Sequence, residues 1–222
     1  PYRDFRISAG VEAQYHPVVS FRITQSDNPM RMANPELLDQ EGENHPYIVG
    51  AAYALFEGSL ASWLRVSAGV RADLFNYYNT ESVGGALSTN TFQTLPSVNP
   101  RLAIIARPTP RLNIKLLGGR AFRAPSPYEL YFQSVGGNFL RSNVGSRSLS
   151  PEQVWSGELE VSYRFAQDWS VLASGYAGLV QSLISTADVP LPMGVTAAQY
   201  QNTGDAFAVG GDVEVRREWR QG

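Results

Sequence analysis

WLRVSAGVRADLF, residues 63–75, alternates apolar and polar side chains more regularly than any other part of the chain. Apolar residues take every second position, and polar or small residues take the positions between them, as Leu64, Arg65, Val66 and Ser67 illustrate. A period of two predicts a β-strand with one apolar and one polar face. The stretch therefore predicts a strand that separates two different environments.

Eight further stretches have a strand pattern, and their connections alternate between short and long. The nine predicted strands cover residues 4–15, 18–24, 47–56, 63–75, 100–108, 112–122, 152–165, 169–184 and 205–219. The short connections are predicted at residues 16–17, 57–62, 108–110 and 166–168, and the long polar ones at residues 25–44, 76–96, 123–150 and 185–202. This alternation is typical of outer-membrane barrels, which have short periplasmic turns and long extracellular loops.

Strand length and the requirements of hydrocarbon point to the same fold. Several predicted strands exceed the roughly 9 to 11 residues that a tilted strand needs to cross a bilayer. No apolar run is long enough for a helix that spans the membrane. The other structure that pairs all of its backbone groups within hydrocarbon is a closed β-barrel. We therefore predict an all-β, antiparallel transmembrane β-barrel. Bacterial single-chain barrels use even strand numbers, so about nine strands are expected to form an internal, partial arc of a larger barrel.

Composition excludes several function classes. With 18 basic and 20 acidic residues, the chain has no electrostatic footprint for nucleic acid. The absence of cysteine excludes disulfides and thiolate metal sites. Aromatic residues near predicted strand ends are typical of the girdles at membrane interfaces, although aromatics favour strands in general. These aromatics are Trp63, Tyr77, Tyr78, Tyr131, Trp155, Phe165, Trp169 and Trp219.

Motifs of enzymes and metal sites are missing from the sequence. There is no Gly-x-Ser-x-Gly elbow, P-loop, Gly-x-Gly-x-x-Gly or HExxH motif, so neither an enzyme nor a cofactor is expected. The stretch PELLDQEGENHP, residues 35–46, is acidic but lacks EF-hand spacing, which favours a solvated loop over a cation site. Its candidate ligands would be Glu36, Asp39, Glu41, Glu43 and His45. His16 and His45 are predicted at opposite ends of the barrel wall, where they cannot share a zinc ion.

The segment NPRLAIIARPTPRLNIKLLGGRAFRAPSPYELY, residues 99–131, resembles the barrel of TonB-dependent outer-membrane receptors. It has, in order, an NPR strand, a proline turn, a second strand and an AFRAPS..ELY loop. Further resemblance lies in VSAGVRAD (66–73), in LSPE (149–152) with Glu158, and in Asn202 followed by GGDVEV. The resemblance covers about residues 60–219. Its motif loop contains Arg123, Pro125, Glu129 and Tyr131, for which ligand contact and structural anchoring are both open interpretations.

The resemblance implies a 22-stranded barrel in the outer membrane of a Gram-negative bacterium, plugged by an N-terminal domain. Such a barrel imports scarce nutrients, such as siderophore-bound iron, cobalamin or oligosaccharides. Residues 1–222 are then expected to be a single barrel segment without the plug. The implied partners are outer-membrane lipid, the plug of the parent chain, the TonB–ExbB–ExbD complex through the parent chain, and a small-molecule nutrient that the sequence does not identify. The alternatives are a passive porin-like barrel and, less favoured, a soluble all-β binding module.

Strand parity predicts which polar side chains face the barrel lumen. If the apolar positions face lipid, the lumen receives a wall of mixed charge, because an Arg or Lys at the lipid midplane costs roughly 2–4 kcal/mol. The wall would contact the plug or a polar solute, or its charges would simply pair with one another, which is the favoured interpretation. The predicted residues are Arg65, Arg71, Asp73, Arg101, Asn113, Lys115, Glu158, Glu160 and Arg164.

Overall fold

The structure is a computed structural model that describes residues 4–19, 22–23, 40–41, 45–83, 87–131, 133–134, 142–190 and 196–219. Strands account for most of these residues, and a single short helix, α1 (Pro127–Tyr131), is described with them. The strands are β1 (Phe5–His16), β2 (Arg22–Ile23), β3 (Gln40–Glu41), β4 (Tyr47–Ala61), β5 (Leu64–Val83), β6 (Leu87–Thr109), β7 (Leu112–Arg123), β8 (Gln133–Ser134), β9 (Ser142–Val144), β10 (Glu152–Arg164), β11 (Trp169–Pro190) and β12 (Thr196–Arg217).

The long strands form one antiparallel meander in the order β1-β4-β5-β6-β7-β10-β11-β12. The short strand β9 pairs in parallel with β12, and β8 pairs with β9 at the edge of the same sheet. In the described ranges the sheet is open, with β1 at one edge and β8 at the other. The predicted all-β, antiparallel and partial sheet is thus confirmed.

The strand predicted at residues 18–24 does not lie between β1 and β4 in the sheet, and residues 20, 21 and 24 lie outside the described residues. β1 pairs directly with β4, from Phe5 opposite Gly58 to His16 opposite Tyr47. Because β5 occupies the other edge of β4, no edge is left for a strand between them. Within residues 18–24 the structure describes only the short β2, which pairs with β3 in a separate sheet. The described part of the sheet therefore has eight long strands, where nine were predicted.

The same pairing corrects the predicted positions of the two histidines. Because β1 pairs with β4, His16 at the end of β1 lies opposite Tyr47, which is two residues after His45. Both histidines therefore lie at the end of the sheet that carries the long connections. His16 stacks on Tyr47 with ring centroids 4.2 Å apart, whereas His45 stacks on Tyr131.

Two predicted loops are instead continuations of strands. β5 and β6 pair from Leu64 opposite Ala106 to Val83 opposite Leu87, so most of residues 76–96 forms a hairpin. Likewise β11 and β12 pair as far as Pro190 and Thr196. Ladder hydrogen bonds come from the backbone, so a strand can continue where its sequence has no apolar alternation. The apolar alternation that predicted the part of each strand near the short connections is therefore absent from the part near the long connections.

Register gives the sheet two different faces, because directly opposite residues of paired strands lie on the same face. One face, here called the apolar face, carries exposed aliphatic side chains, with Ile7 and Val213 exposed to 77% and 76%. Other exposed residues on this face are Val70, Leu102, Leu116 and Leu159. The opposite face, here called the polar face, carries most of the charged side chains in the strands. Among the described residues, no helix has the length and apolarity to cross a membrane.

The buried cluster of the chain lies on the polar face, at the end with the long connections. Tyr77, Leu130 and Leu149 form its center. Tyr77 and Phe75 lie on the same face of the sheet as Asp73. The helix α1 and the segment around Leu149 therefore cover this face at the end near the long connections. The remaining partly buried members are Tyr47, Leu95, Tyr131, Ile184 and Tyr200. The core is thus formed between the sheet and the connection from β7 to β10.

Candidate functional site

All nine residues of the predicted charged wall lie on the polar face. Arg65, Arg71 and Asp73 lie at alternate positions along β5. The register carries the same face through Arg101 on β6 to polar and charged positions of β7 and β10. These positions are Asn113, Lys115, Glu158, Glu160 and Arg164. The structure therefore groups them as the parity predicts. That this face is directed at a barrel lumen stays a prediction.

Arg71 is the center of a side-chain network that spans three strands. Its Nε donates to Asp73 at 2.8 Å, and its Nη1 donates to Glu12 at 3.0 Å. Asn99 donates to the other carboxylate oxygen of Asp73 at 3.2 Å, and Ser97 donates to Asn99 at 3.3 Å. Asp73 is only 3% exposed, so these hydrogen bonds compensate the burial of its carboxylate. The network joins β1, β5 and β6.

The remaining wall residues fall into a paired and an unpaired group. Lys115 and Glu160 lie opposite each other and form an ion pair at 2.7 Å, and Asn113 accepts a hydrogen bond from Arg107 at 3.3 Å. The others make no side-chain hydrogen bond or ion pair within the described part of the chain. These residues are Arg65, Arg101, Glu158 and Arg164. The wall thus combines internal pairs with charges that make no side-chain pair among the described residues.

We predict that the Arg71 network supports assembly more than ligand binding. Arg71→Met leaves Asp73 and Glu12 close together without their cation, so we expect a loss of roughly 1–3 kcal/mol in unfolding free energy. Arg101→Met has no side-chain pair to break and serves as the matched control. The measurement is the urea midpoint of the folded protein. Equal midpoints for both variants would contradict the prediction.

The motif loop is fastened by an arginine between two carboxylates, here called the Arg123 cluster and formed by Arg123, Glu129 and Glu152. Arg123 ends β7, directly opposite Glu152 at the start of β10, and Glu129 lies in α1. Arg123 donates to Glu152 through Nε at 2.6 Å and through Nη2 at 3.0 Å. Its Nη1 donates to both oxygens of Glu129 at 2.9 and 3.1 Å. The planar guanidinium thereby ties α1 to the sheet.

Each carboxylate of the Arg123 cluster has a second partner. The backbone N–H and hydroxyl of Ser126 donate to Glu129 at 2.8 and 3.0 Å, and the Glu129 N–H donates back to the Ser126 hydroxyl at 3.2 Å. This is a capping box at the start of α1. Glu152 accepts from the backbone N–H of Ile184 at 2.7 Å, which extends the cluster to β11.

These contacts set the ionisation of both carboxylates. Burial alone raises the pKa of Glu129, but hydrogen bonds from Arg123 and Ser126 outweigh it and leave the pKa below its usual value. The hydrogen bond from Arg123 also lowers the pKa of Glu152, and the Ile184 N–H adds to that effect. Both groups are therefore charged in the folded protein at neutral pH.

We predict that acid weakens the attachment of α1. A carboxylate with a lowered folded pKa contributes stability above its unfolded pKa, and this contribution is lost as the pH falls below about 4. Hydrogen exchange of the α1 amides should therefore accelerate between pH 5 and 3, after correction for intrinsic rates. In Glu129→Gln the acceleration should be smaller, because one of the two titrating groups is gone. An unchanged acceleration in Glu129→Gln would contradict this.

Aromatic side chains complete the loop's attachment. The hydroxyl of Tyr77, which is 2% exposed, donates to the carbonyl of Pro125 at 2.7 Å. Tyr131 stacks on His45 with ring centroids 4.8 Å apart, and the guanidinium of Arg147 lies 5.9 Å from the Tyr131 ring. Burial raises the pKa of Tyr131 to about 12, so its hydroxyl stays neutral. All four residues predicted in the motif loop thus contact other parts of the chain, and whether they also contact a ligand stays open.

Asn202 is a clamp whose role the sequence did not reveal. Its side-chain N–H donates to the carbonyls of Ser150 at 3.0 Å and Ser182 at 2.6 Å, and its oxygen accepts from the Ser150 N–H at 2.8 Å. Ser182 lies at an irregularity of β11 and has a φ of 57°, the left-handed region. The family motif contained Asn202 and Glu152, but their shared role of holding the β11 irregularity depends on tertiary contacts.

Metal-binding geometry is not found in the described ranges, where no three His, Asp or Glu side chains lie close enough to hold an ion. Glu36, Asp39 and Glu43 of the predicted acidic loop lie outside the described residues.

Comparison with known proteins decides the family. The family model described as TonB dependent receptor-like, beta-barrel matches residues 3–222. The chain belongs to the TonB-dependent receptor β-barrel family. The resemblance found in the sequence is thereby confirmed, and the receptors and transporters of this family are not enzymes. A comparison with curated protein sequences gave no match.

Solved TonB-dependent receptors share the fold at low identity. The hemophore receptor HasR of Serratia marcescens superposes with a TM-score of 0.63 at 17% identity, over 96% of this chain and 36% of that one. The copper transporter OprC gives a TM-score of 0.62 at 20% identity, over 97% and 33%. The FrpB iron transporter of Neisseria meningitidis gives 0.60 at 12%, over 97% and 31%. This TonB-dependent receptor chain therefore spans about a third of the length of these structures. Such receptors are outer-membrane proteins of Gram-negative bacteria.

Proposed function

We propose that the protein carrying this chain is an outer-membrane receptor that takes up a scarce nutrient with energy from the TonB–ExbB–ExbD complex. The observation that carries the proposal is the family match across residues 3–222. Residues 1–222 would form a single barrel segment, with the plug contributed by another part of the parent chain. The nutrient would belong to the siderophore-iron, cobalamin or oligosaccharide class.

The two faces of the sheet support this proposal. Exposed aliphatic side chains on one face suit contact with lipid, whereas a soluble domain would bury them. The polar face would then meet the plug and the nutrient. On that face Arg71 forms an ion pair with Asp73, and Lys115 forms one with Glu160. The candidates for contact are the charged residues that make no such pair among the described residues, namely Arg65, Arg101, Glu158 and Arg164.

The motif loop would act as a fixed part of the outer opening. Its anchors Arg123, Glu129 and Tyr131 are engaged with other residues, so we assign them a positioning role. The ligand would meet the surface that they hold in place. A rigid scaffold that presents loops is a common arrangement for binding.

Uptake by the native organism tests the proposed function. The parent gene is deleted, and accumulation of labelled ferric siderophores, cobalamin and oligosaccharides is measured, with a parallel strain that lacks TonB. We expect one ligand class to be lost in the gene deletion and equally lost without TonB. Loss in the gene deletion but normal uptake without TonB would favour the passive porin, and recovery of the parent protein in the aqueous fraction would favour the soluble module.

A further inference from the structure

The apolar face carries aromatic residues at two levels. Near the short connections lie Trp169, at the start of β11, and Trp219, which follows β12; both are exposed. At the other level Trp155 on β10 lies opposite Leu179, ten positions along β11 from Trp169. Ten residues of strand span roughly 34 Å, which a tilt of about 40° reduces to roughly 26 Å. This is close to the roughly 25 Å height of the apolar band of outer-membrane barrels.

Each aromatic level has an arginine directly opposite a tryptophan. Arg120 lies opposite Trp155, with its guanidinium 5.8 Å from the ring center. Arg217 lies opposite Trp169, with its guanidinium 5.3 Å from that ring and 3.7 Å from the Trp219 ring. Two independent cross-strand Arg–Trp pairs therefore mark the two edges of the apolar band.

The two arginines differ in what else they bind. Arg120 donates a hydrogen bond to the carbonyl of Val98, so part of its guanidinium is already used. Within the described part of the chain, Arg217 makes no side-chain hydrogen bond or ion pair. Its guanidinium packs against the face of an indole, which stabilises the cation but leaves the N–H groups at its edge available.

We propose that Arg217, held by Trp169 and Trp219, binds the phosphate of a phospholipid in the periplasmic leaflet. The proposal rests on the proposed function, since it requires the apolar face to contact lipid. An arginine at the edge of the apolar band lies at the level of the lipid headgroups, and its planar fork matches two phosphate oxygens. The two tryptophans supply the amphipathic rings typical of that level. The charge complements a phosphate diester.

Native mass spectrometry of the delipidated parent receptor in detergent tests this site. The probe is a phosphatidylglycerol, compared with a diacylglycerol of the same chains and with inorganic phosphate. We expect Arg217→Gln to weaken the tightest phosphatidylglycerol adduct about tenfold, because it removes a charge-assisted bidentate contact. Arg217→Lys keeps the charge but not the fork and should give a smaller loss. Diacylglycerol should not compete for this adduct, and neither should millimolar inorganic phosphate.

The adjacent Arg216 provides the matched control. It lies on the polar face and pairs with Glu214 at 2.8 Å, so Arg216→Gln should leave the phosphatidylglycerol adduct unchanged. Equal adducts in Arg217→Gln and Arg216→Gln would overturn the site, and so would competition by inorganic phosphate alone. Insertion into vesicles is measured on the same samples. Normal insertion with unchanged adducts refutes the lipid site only, whereas failure of the wild-type receptor to insert refutes the membrane function as well.

Discussion

Leu116→Arg should destabilise the full-length receptor by about 2–4 kcal/mol, whereas Leu117→Arg should cost less than about 1 kcal/mol. The two leucines are neighbours on β7 and have similar exposures, 45% and 37%. They nevertheless lie on opposite faces, because Leu116 is opposite Ile104 and Leu159 while Leu117 is opposite Ala103 and Glu158. An arginine at position 116 would have to enter hydrocarbon, and one at position 117 would join the polar face.

The measurement is the urea midpoint of the receptor folded into lipid vesicles, followed by heat modifiability on gels. The pair controls for residue type, strand and local β-propensity, so only the face differs. Equal losses at the two positions would show that neither face is selectively in lipid. A larger loss at Leu117 would reverse the assignment of the faces and, with it, the proposed lumen.

Arg123→Met should release the motif loop and is expected to cost roughly 1–3 kcal/mol in local stability. The substitution leaves Glu129 and Glu152, whose side chains are 13% and 14% exposed, facing each other without a cation. The α1 amides and the N–H of Ser146, which donates to the Glu129 carbonyl, should then exchange faster with deuterium. The exchange rates of the β7 amides near the short connection from β6 should not change.

A triple variant separates charge repulsion from loss of packing. Arg123→Met combined with Glu129→Gln and Glu152→Gln removes the unpaired charges, so its exchange should be slower than that of Arg123→Met alone. Arg123→Lys should be intermediate, because an ammonium cannot serve both carboxylates with a planar fork. If Arg123→Met exchanged like the wild-type receptor, the cluster would not hold the loop.

The sequence predicted the parts of the fold that depend on a period of two. Parity alone assigned Arg71, Lys115 and Glu160 to one face, because a strand inside the apolar band must alternate. It failed beyond that band, where β5 and β6 continue to pair as far as Val83 and Leu87 although the sequence there has no apolar alternation. Strand pairing there is determined by the partner backbone, which leaves no side-chain period to read.

The candidate site was predicted only in outline. The AFRAPS..ELY motif identified Arg123 and Glu129, but the opposing Glu152 comes from a register between β7 and β10 that no local pattern encodes. The role of Asn202 depends on a left-handed Ser182 on another strand. The strand predicted at residues 18–24 had a suitable local pattern, yet it could not join the sheet at β4, because β1 and β5 occupy both edges of β4.

Loop 124–151 and the hairpin of β11 and β12 are joined by backbone as well as by side chains. β9 adds to β12 in parallel, Asn202 clamps Ser150, and Tyr128 packs edge-on against Tyr200 at 6.1 Å. A graft that exchanged this loop alone between two receptors would leave these interfaces mismatched. The two segments should therefore be exchanged together, as one unit, when a chimeric receptor is made.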